Sequence, residues 1–241
     1  MAISTFKRYE KKFIVPEEKA KLLLPYFEEK TRPDGYCVDG KYYTVYNIYY
    51  DNDNNDVIRH STSKPYYKEK LRLRTYALGD ENAPVFLELK KKIGKIVSKR
   101  RISMSREEYR EFLATKNIPS HKQQIAEELR YYLKTNDVDP KVYIRYDRRA
   151  LFGIDDPTLR ITFDKNIKTR RANLNFDGDD SGRLILDENM RLLEIKFDGA
   201  MPLWIARLLS ELEIYSRGFS KYGTEYHLDC MDKNKSIHGA V

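Results

Sequence analysis

The sequence predicts an α+β fold in which several helices pack on one face of an antiparallel β-sheet. Short segments repeatedly alternate apolar and polar side chains, which is the pattern of half-buried strands. Turn residues such as Gly79-Asp80 and Ile93-Gly94 separate neighbouring segments, which favours hairpins and therefore antiparallel pairing. Nineteen tyrosines against one tryptophan also favour strands, because aromatic side chains pack well on a pleated surface.

The predicted strands lie, in chain order, at residues 7–15, 43–51, 66–76, 85–92, 96–104, 142–151, 159–164, 183–187 and 192–197. Helices are predicted at residues 17–31, 105–115, 120–134 and 202–215, each with its apolar residues on one side. The first follows Pro16 with acidic residues in its first turn, and the second opens with a capping box of Ser105 and Glu108. Residues 173–182, rich in Asn, Asp and Gly, are expected to form a loop.

Composition and charge narrow the function classes. Of 241 residues, 41% are hydrophobic and 34% charged, which predicts one globular domain over residues 1–241. A formal net charge of +8 favours an anionic partner. Cys37 and Cys230 lack neighbouring ligands, which argues against a disulfide scaffold or zinc site and favours a reducing compartment. Without a signal-peptide or membrane-spanning run, we expect a cytoplasmic protein, with peripheral docking on a membrane-protein partner left open.

One face of the predicted sheet carries charges of a single sign. Because side chains alternate along a strand, one face collects Lys68, Lys70, Arg72, Arg74 and Tyr76, then Lys90, then Lys99 and Arg101 on the following strands, and later Tyr146 with Arg148, Arg160, and Lys196. Like charges opposite one another destabilise a sheet in water, so this face favours a polyanion, and arginine pairs bidentately with phosphate. A solvated sheet shows the same alternation and is the alternative for any single strand. If the sheet closes with its apolar face outside, the cations line a channel.

Carboxylates recur among these cations. Glu10, Glu88 and Glu194 each stand two residues before a lysine and therefore on the lysine's side of the strand. They are either salt-bridge partners or ligands of a divalent cation, since Mg²⁺ or Mn²⁺ is commonly held by one or two carboxylates together with substrate phosphates. The residues themselves leave both interpretations open.

The motifs together resemble a known family. They are, in order, Glu10-Lys11-Lys12, Lys68-Glu69-Lys70-Leu71-Arg72-Leu73-Arg74, Glu88-Leu89-Lys90, Lys99-Arg100-Arg101, Tyr146-Asp147-Arg148, residues 159–164, Glu194-Ile195-Lys196 and Ser220-Lys221-Tyr222. This series resembles the VTC domain, the catalytic part of the vacuolar transporter chaperone polyphosphate polymerase and of its stand-alone bacterial relatives, within the triphosphate tunnel (CYTH-like) superfamily. The resemblance covers about residues 5–228 and leaves 229–241 as a C-terminal tail.

The resemblance implies a tunnel of eight antiparallel strands with helices outside, in which ATP donates its γ-phosphate to a growing polyphosphate chain with Mn²⁺ or Mg²⁺ present. It implies that the catalytic cations are Arg72, Arg74, Arg148 and Lys221. Further phosphate contacts would come from Lys12, Lys90, Lys99 and Lys196, with hydrogen bonds from Tyr146 and Ser220, and from the more loosely matched Arg59, Lys70, Arg101 and Arg160. Glu194 would ligate the metal, with Glu88 and Glu10 as further candidates.

Two departures bear on the activity. A cation that the eukaryotic enzymes place before the Ser-Lys pair falls on Gly218, with Arg217 one position earlier as its substitute. The superfamily's Glu-x-Glu-x-Lys is reduced to Arg8-Tyr9-Glu10-Lys11-Lys12, which favours the polymerase over two-metal hydrolysis. The alternatives are a triphosphatase of the same fold and a non-catalytic polyphosphate-binding module. Nucleic acid is not expected as a partner, because a closed tunnel excludes a duplex.

Overall fold

The computed structural model describes residues 8–94, 96–119 and 122–238, and within these ranges the fold is α+β as predicted. The strands are β1 Arg8–Pro16, β2 Thr31–Pro33, β3 Tyr43–Asp51, β4 Tyr67–Thr75, β5 Val85–Ile93, β6 Ile96–Met104, β7 Asp139–Gly153, β8 Arg160–Arg170, β9 Arg183–Leu184 and β10 Met190–Asp198. The helices are α1 Glu17–Lys30, α2 Asp56–Thr62, α3 Arg106–Thr115, α4 Gln123–Thr135, α5 Leu203–Glu211 and α6 Lys221–His238.

The strands form one antiparallel sheet in the order β1-β10-β8-β7-β3-β4-β5-β6, with β2 added to β7 and β9 to β8. This path contains the eight strands that the family resemblance implied. Among the described residues, β6 and β1 at its two ends are not paired with each other. Strands β5 and β1 are nevertheless near each other, because Lys90 of β5 adds, after Lys12 and Lys196, to the charges that lower the pKa of Glu10 on β1 against the effect of burial. The two edges therefore approach each other and enclose an inner face.

The outer face of the sheet is covered by four of the helices. Phe112 of α3 and Leu129 of α4 pack with Leu71, Leu89 and other buried residues of β4, β5 and β6. Phe27 of α1 and Leu208 of α5 pack with residues of β1, β8 and β10. These contacts confirm that the one-sided helices lie outside the sheet, because their apolar stripes meet the apolar alternate positions of the strands.

The remaining helices, α2 and α6, were not predicted and pack differently. Ile58 of α2 and Tyr222 of α6 join Tyr49, Val142 and Tyr146 from the inner face of the sheet. An apolar cluster thus fills part of the enclosed space and brings the start of α6 to the inner face. Helix α6 continues through the segment expected to be a C-terminal tail, and residues 239–241 lie outside the described ranges.

Element boundaries differ from prediction in a few places. Lys7 and Ser120, predicted to begin a strand and a helix, lie outside the described residues. The capping box of α3 is confirmed, since Ser105 Oγ accepts from the Glu108 backbone N–H at 3.1 Å. The predicted strand at 159–164 extends to Arg170, and the one at 183–187 shrinks to two residues. None of the described helices has the length and hydropathy needed to cross a membrane.

Candidate functional site

Glu88 on β5 anchors the first group of cations on the inner face. Its carboxylate is 1% exposed and accepts hydrogen bonds from Arg72 Nε at 2.9 Å and Arg101 Nε at 2.6 Å, while Lys99 Nζ lies 2.6 Å away. Arg74 Nε lies at 3.9 Å. Burial raises the pKa of Glu88, but these cations outweigh it and hold that pKa far below its usual range. One fully ionised carboxylate therefore orients three cations and lies near a fourth.

Asp164 on β8 anchors a second group. Arg148 on β7 donates to its two oxygens at 2.7 and 2.8 Å, in the bidentate geometry that fixes a guanidinium. Lys221, the first residue of α6, donates to the same carboxylate at 2.6 Å. Asp164 is fully buried, and although burial opposes it, Arg148 and Lys221 lower its pKa. The start of α6 is thereby tied to the sheet across the inner face.

Glu10 on β1 and Glu194 on β10 form a third group with two lysines. Lys12 Nζ lies 3.1 Å from Glu10 and 3.3 Å from Glu194, and Lys196 Nζ lies 3.7 and 3.6 Å from the same two carboxylates. Against the effect of burial, Lys12 and Lys196 lower the pKa of Glu10 to about 2. Both carboxylates are thus ionised at neutral pH and lie close together.

This arrangement bears on the expected metal ligands. Nowhere in the described part of the chain do three or more His, Cys, Asp or Glu side chains converge as a metal site would require. Glu88 belongs to the arginine group on β4 to β6, apart from Glu10 and Glu194. The pair of Glu10 and Glu194 fits Mn²⁺ or Mg²⁺ when phosphate oxygens supply the other ligands.

Tyr146 on β7 joins three of the four cations expected to be catalytic. Arg74 Nη2 donates to its hydroxyl at 3.2 Å, and Arg148 and Lys221 lie 4.9 and 4.4 Å from its ring centre. The fourth cation, Arg72, donates to the neighbouring Tyr49 hydroxyl at 2.9 Å. Residues predicted from three separate motifs therefore meet around two tyrosines of the inner face.

The inner face has more positive than negative charge. Its cations are Lys12, Lys70, Arg72, Arg74, Lys90, Lys99, Arg101, Arg148, Lys196 and Lys221, and its carboxylates are Glu10, Glu88, Asp164 and Glu194. Within the described ranges no carboxylate lies at ion-pair distance from Lys70 or Lys90. Burial, and then the charges of Lys68, Lys90 and Lys12, lower the pKa of Lys70 to about 8 despite a favourable Tyr49. Burial and neighbouring lysines both disfavour the charged form of this side chain, and an anion bound beside it would favour that form.

Donors without partners lie on the same face. Thr162, opposite Glu194 in the β8–β10 pair, is 1% exposed, and its hydroxyl has no hydrogen-bond partner. The buried Arg160 Nε is also unpaired. A buried polar group left unpaired costs about 1–3 kcal/mol, so these donors point to a ligand. Ser220 Oγ accepts from the Gly223 N–H at 3.2 Å, which leaves its own hydroxyl proton for another acceptor.

Not every expected residue joins the site. Arg59 lies on α2 with its side chain 60% exposed and pairs with Asp56 at 3.6 Å, outside the three groups. Arg217 contacts β1 through its backbone, donating to the Lys12 carbonyl at 2.8 Å. Sequence reasoning gave no role to Asp164, although it alternates with Arg160 and Thr162 on one strand, a signal that could have placed it on the inner face.

Comparison with known proteins gives one family match and several distant structural matches. The sequence matches the family model described as VTC domain over residues 7–228. No curated protein sequence matches the chain. A putative adenylate cyclase from Bacillus halodurans shares 15% identity at a TM-score of 0.50, over 89% of this chain and 96% of that one. A putative adenylyl cyclase from Hippeastrum, described by a dominant triphosphatase activity, shares 17% identity at a TM-score of 0.47, over 88% and 92%. At its low identity the first of these matches speaks for the fold alone, and the second, with a TM-score below 0.5, supports no conclusion about this chain.

Proposed function

The chain belongs to the VTC domain family, and on this premise we propose that it transfers the γ-phosphate of ATP to the end of a growing inorganic polyphosphate chain. The observation that carries the proposal is the partly buried inner face on which cations outnumber carboxylates. Such a face is costly in the free protein and becomes favourable when a polyanion lies against it.

The four cations around Tyr146 and Tyr49 would bind the triphosphate of the donor, ATP. In phosphoryl transfer the protein positions the reactants and neutralises their negative charge, and no side-chain nucleophile is needed. Glu88 and Asp164 hold the guanidinium groups of Arg72 and Arg148 in fixed orientations before substrate arrives. Preorganised charges of this kind stabilise charge that develops in the transition state without reorganising.

Glu10 and Glu194 would hold the divalent cation together with phosphate oxygens. The bound cation would neutralise charge on the phosphoryl group being transferred. In its absence Lys12 and Lys196 balance these carboxylates. Both lysines would also contact the phosphates of the substrate.

The two lysines without a carboxylate at ion-pair distance, Lys70 and Lys90, would bind the acceptor polyphosphate chain. Lys70 and Lys90 face each other across β4 and β5. Burial, and then Arg148 and Lys90, lower the pKa of Lys196 on β10 against the effect of Glu194 and Glu10, so Lys90 also lies near β10. Repeating phosphates along a polyphosphate would supply the counter-charges that these side chains lack. The terminal phosphate of that chain would be the attacking group.

Product analysis tests the proposal. Purified protein is incubated with ATP and Mn²⁺, the products are separated on a gel stained for polyphosphate, and released phosphate is measured in parallel. Stained chains are the expected result. Free phosphate without chains would establish the triphosphatase alternative instead. If neither product forms, the protein is the non-catalytic polyphosphate-binding module.

A pair of lysines on α6 supplies the matched variants. Lys221→Met should abolish chain synthesis, while Asp164 keeps its bidentate Arg148 and the fold is retained by circular dichroism. Lys233→Met on the same helix, where the side chain is 63% exposed, should leave synthesis unchanged. Full synthesis by a folded Lys221→Met protein contradicts the assignment of this site.

A further inference from the structure

A cluster of aromatic side chains borders the cationic face, and the function proposed above does not account for it. Tyr36, in the loop between β2 and β3, stacks on Tyr76 with ring centres 4.4 Å apart and planes 24° apart. Tyr43 lies 5.5 Å from Tyr36, and Phe86 lies 6.0 Å from Tyr76. Tyr36 remains 51% exposed, so part of its ring is open to a planar ligand.

The loop holds Tyr36 in place. The Asp34 carboxylate accepts the backbone N–H of Tyr36 at 3.1 Å through one oxygen and the Tyr43 hydroxyl at 2.9 Å through the other. Asp34 is itself tied to β7, because its N–H donates to the Ala150 carbonyl at 3.0 Å. The exposed ring is therefore positioned before any ligand binds, which lowers the ordering cost of binding.

Phosphate-binding cations adjoin this cluster. Arg101 Nη2 donates to the Tyr76 hydroxyl at 3.4 Å, and the Arg101 guanidinium lies 4.3 Å from the centre of the Phe86 ring. Arg160, whose Nε is buried and unpaired, reaches the Asp34 carboxylate at 3.7 Å. A ligand with a planar ring on Tyr36 would thus carry an anionic chain directly onto Arg101 and Arg160.

We propose that Tyr36 is the stacking platform for the base of the nucleoside triphosphate, whose phosphates extend from there onto Arg101 and Arg160. This inference rests on the proposed function, since it assumes that a triphosphate occupies the cationic face. Stacking on an aromatic ring uses the flat face that every base has, so the platform accepts nucleotides without reading the edges of their bases. A nucleotide would therefore bind more tightly than a bare triphosphate that contacts the same cations.

Comparison of two ligands tests the platform separately from the phosphate site. Tripolyphosphate and an ATP analogue with a methylene between its β- and γ-phosphates are titrated calorimetrically, with Mg²⁺, into the wild type, Tyr36→Ala and Tyr36→Phe. We expect Tyr36→Ala to weaken the ATP analogue by roughly tenfold, in keeping with the contribution of one stacked base, and to leave tripolyphosphate unchanged. Tyr36→Phe keeps the ring and should bind both ligands like the wild type.

Tyr26→Ala is the matched control, because Tyr26 on α1 is 56% exposed on the outer side of the sheet and should affect neither ligand. Equal weakening of both ligands by Tyr36→Ala, or no weakening of either, overturns the platform while leaving the phosphate site standing. Failure of both ligands to bind the wild type overturns the proposed function and the platform with it.

Discussion

The positive charge of Lys70, on the inner face of β4, should lower the stability of the protein and strengthen its binding of polyanions, compared with an uncharged residue at this position. Burial and the charges of Lys68, Lys90 and Lys12 lower its pKa from 10.5 to about 8. Each pKa unit corresponds to about 1.4 kcal/mol, so the charged side chain costs about 3 kcal/mol, which solvent screening reduces to about 2. Replacement by the uncharged Met, of similar length, should raise the free energy of unfolding by that amount at pH 7.

The pH dependence of this effect has a defined sign. The pKa of Lys70 in the folded protein lies below its unfolded value, so between pH 8 and 10.5 the unfolded chain binds more protons and stability rises with pH. The cost is present in full below pH 8 and disappears towards pH 10.5. The difference between Lys70→Met and wild type should therefore fall from about 2 kcal/mol at pH 7 to about 1 kcal/mol at pH 9.5.

Urea unfolding of both proteins at these two pH values measures the difference, and calorimetry with tripolyphosphate should show weaker binding by Lys70→Met. Lys21→Met is the control, because Lys21 on α1 is 71% exposed and its replacement should change stability by less than about 0.5 kcal/mol. A Lys70→Met protein that is less stable than wild type at pH 7, or a difference that is constant with pH, would refute the reasoning.

Three further predictions follow from the same face. Glu88→Gln should lower the free energy of unfolding by about 3–5 kcal/mol, because it leaves clustered cations unpaired. The control Glu69→Gln loses one ion pair with Lys91 and should lower that free energy by less than about 1 kcal/mol. Similar urea midpoints for the two variants would contradict this prediction. Binding of tripolyphosphate at pH 8 should be accompanied by proton uptake, because the bound anion raises the pKa of Lys70 and of Lys196, which are both about 8 in the free protein. Calorimetry in buffers of different ionisation enthalpy measures this uptake, and a binding heat that is the same in all of them would contradict the prediction. Thr162→Val should stabilise the free protein by about 1 kcal/mol and weaken tripolyphosphate binding, as judged by thermal unfolding and calorimetry, and an unchanged affinity would show that its hydroxyl does not meet phosphate.

Much of the fold could be read from local pattern. Strand alternation and one-sided helices identified the eight strands of the main path, though not their order, and the helices on the outer face, because each pattern states which side of its own element is buried. The same alternation placed Arg72, Arg74 and Lys90 on one face. The two missed helices lack such a pattern. Helix α2 is short, and its Val57 and Ile58 N–H groups donate at 2.9 and 3.0 Å to Asp51, a residue of the preceding strand.

Helix α6 shows what sequence reasoning could not reach. Its buried Glu225 pairs with Arg171 of a distant loop at 2.7 and 2.9 Å, and its Tyr222 donates to Asp51 at 2.7 Å. Polar contacts of this kind leave no apolar stripe in the sequence. They become visible only when segments far apart in the chain are brought together.

The sequence by itself determined that the chain folds as an antiparallel sheet with a cationic face, because alternation and sign of charge are properties of each strand alone. Only the tertiary structure decided which charges meet. Pairing of β1 with β10 placed Glu10 beside Glu194, pairing of β5 with β4 and β6 placed Glu88 among the arginines, and docking of α6 placed Lys221 on Asp164. Register and curvature settle such distances between strands, and neither is written in the alternation of any one of them.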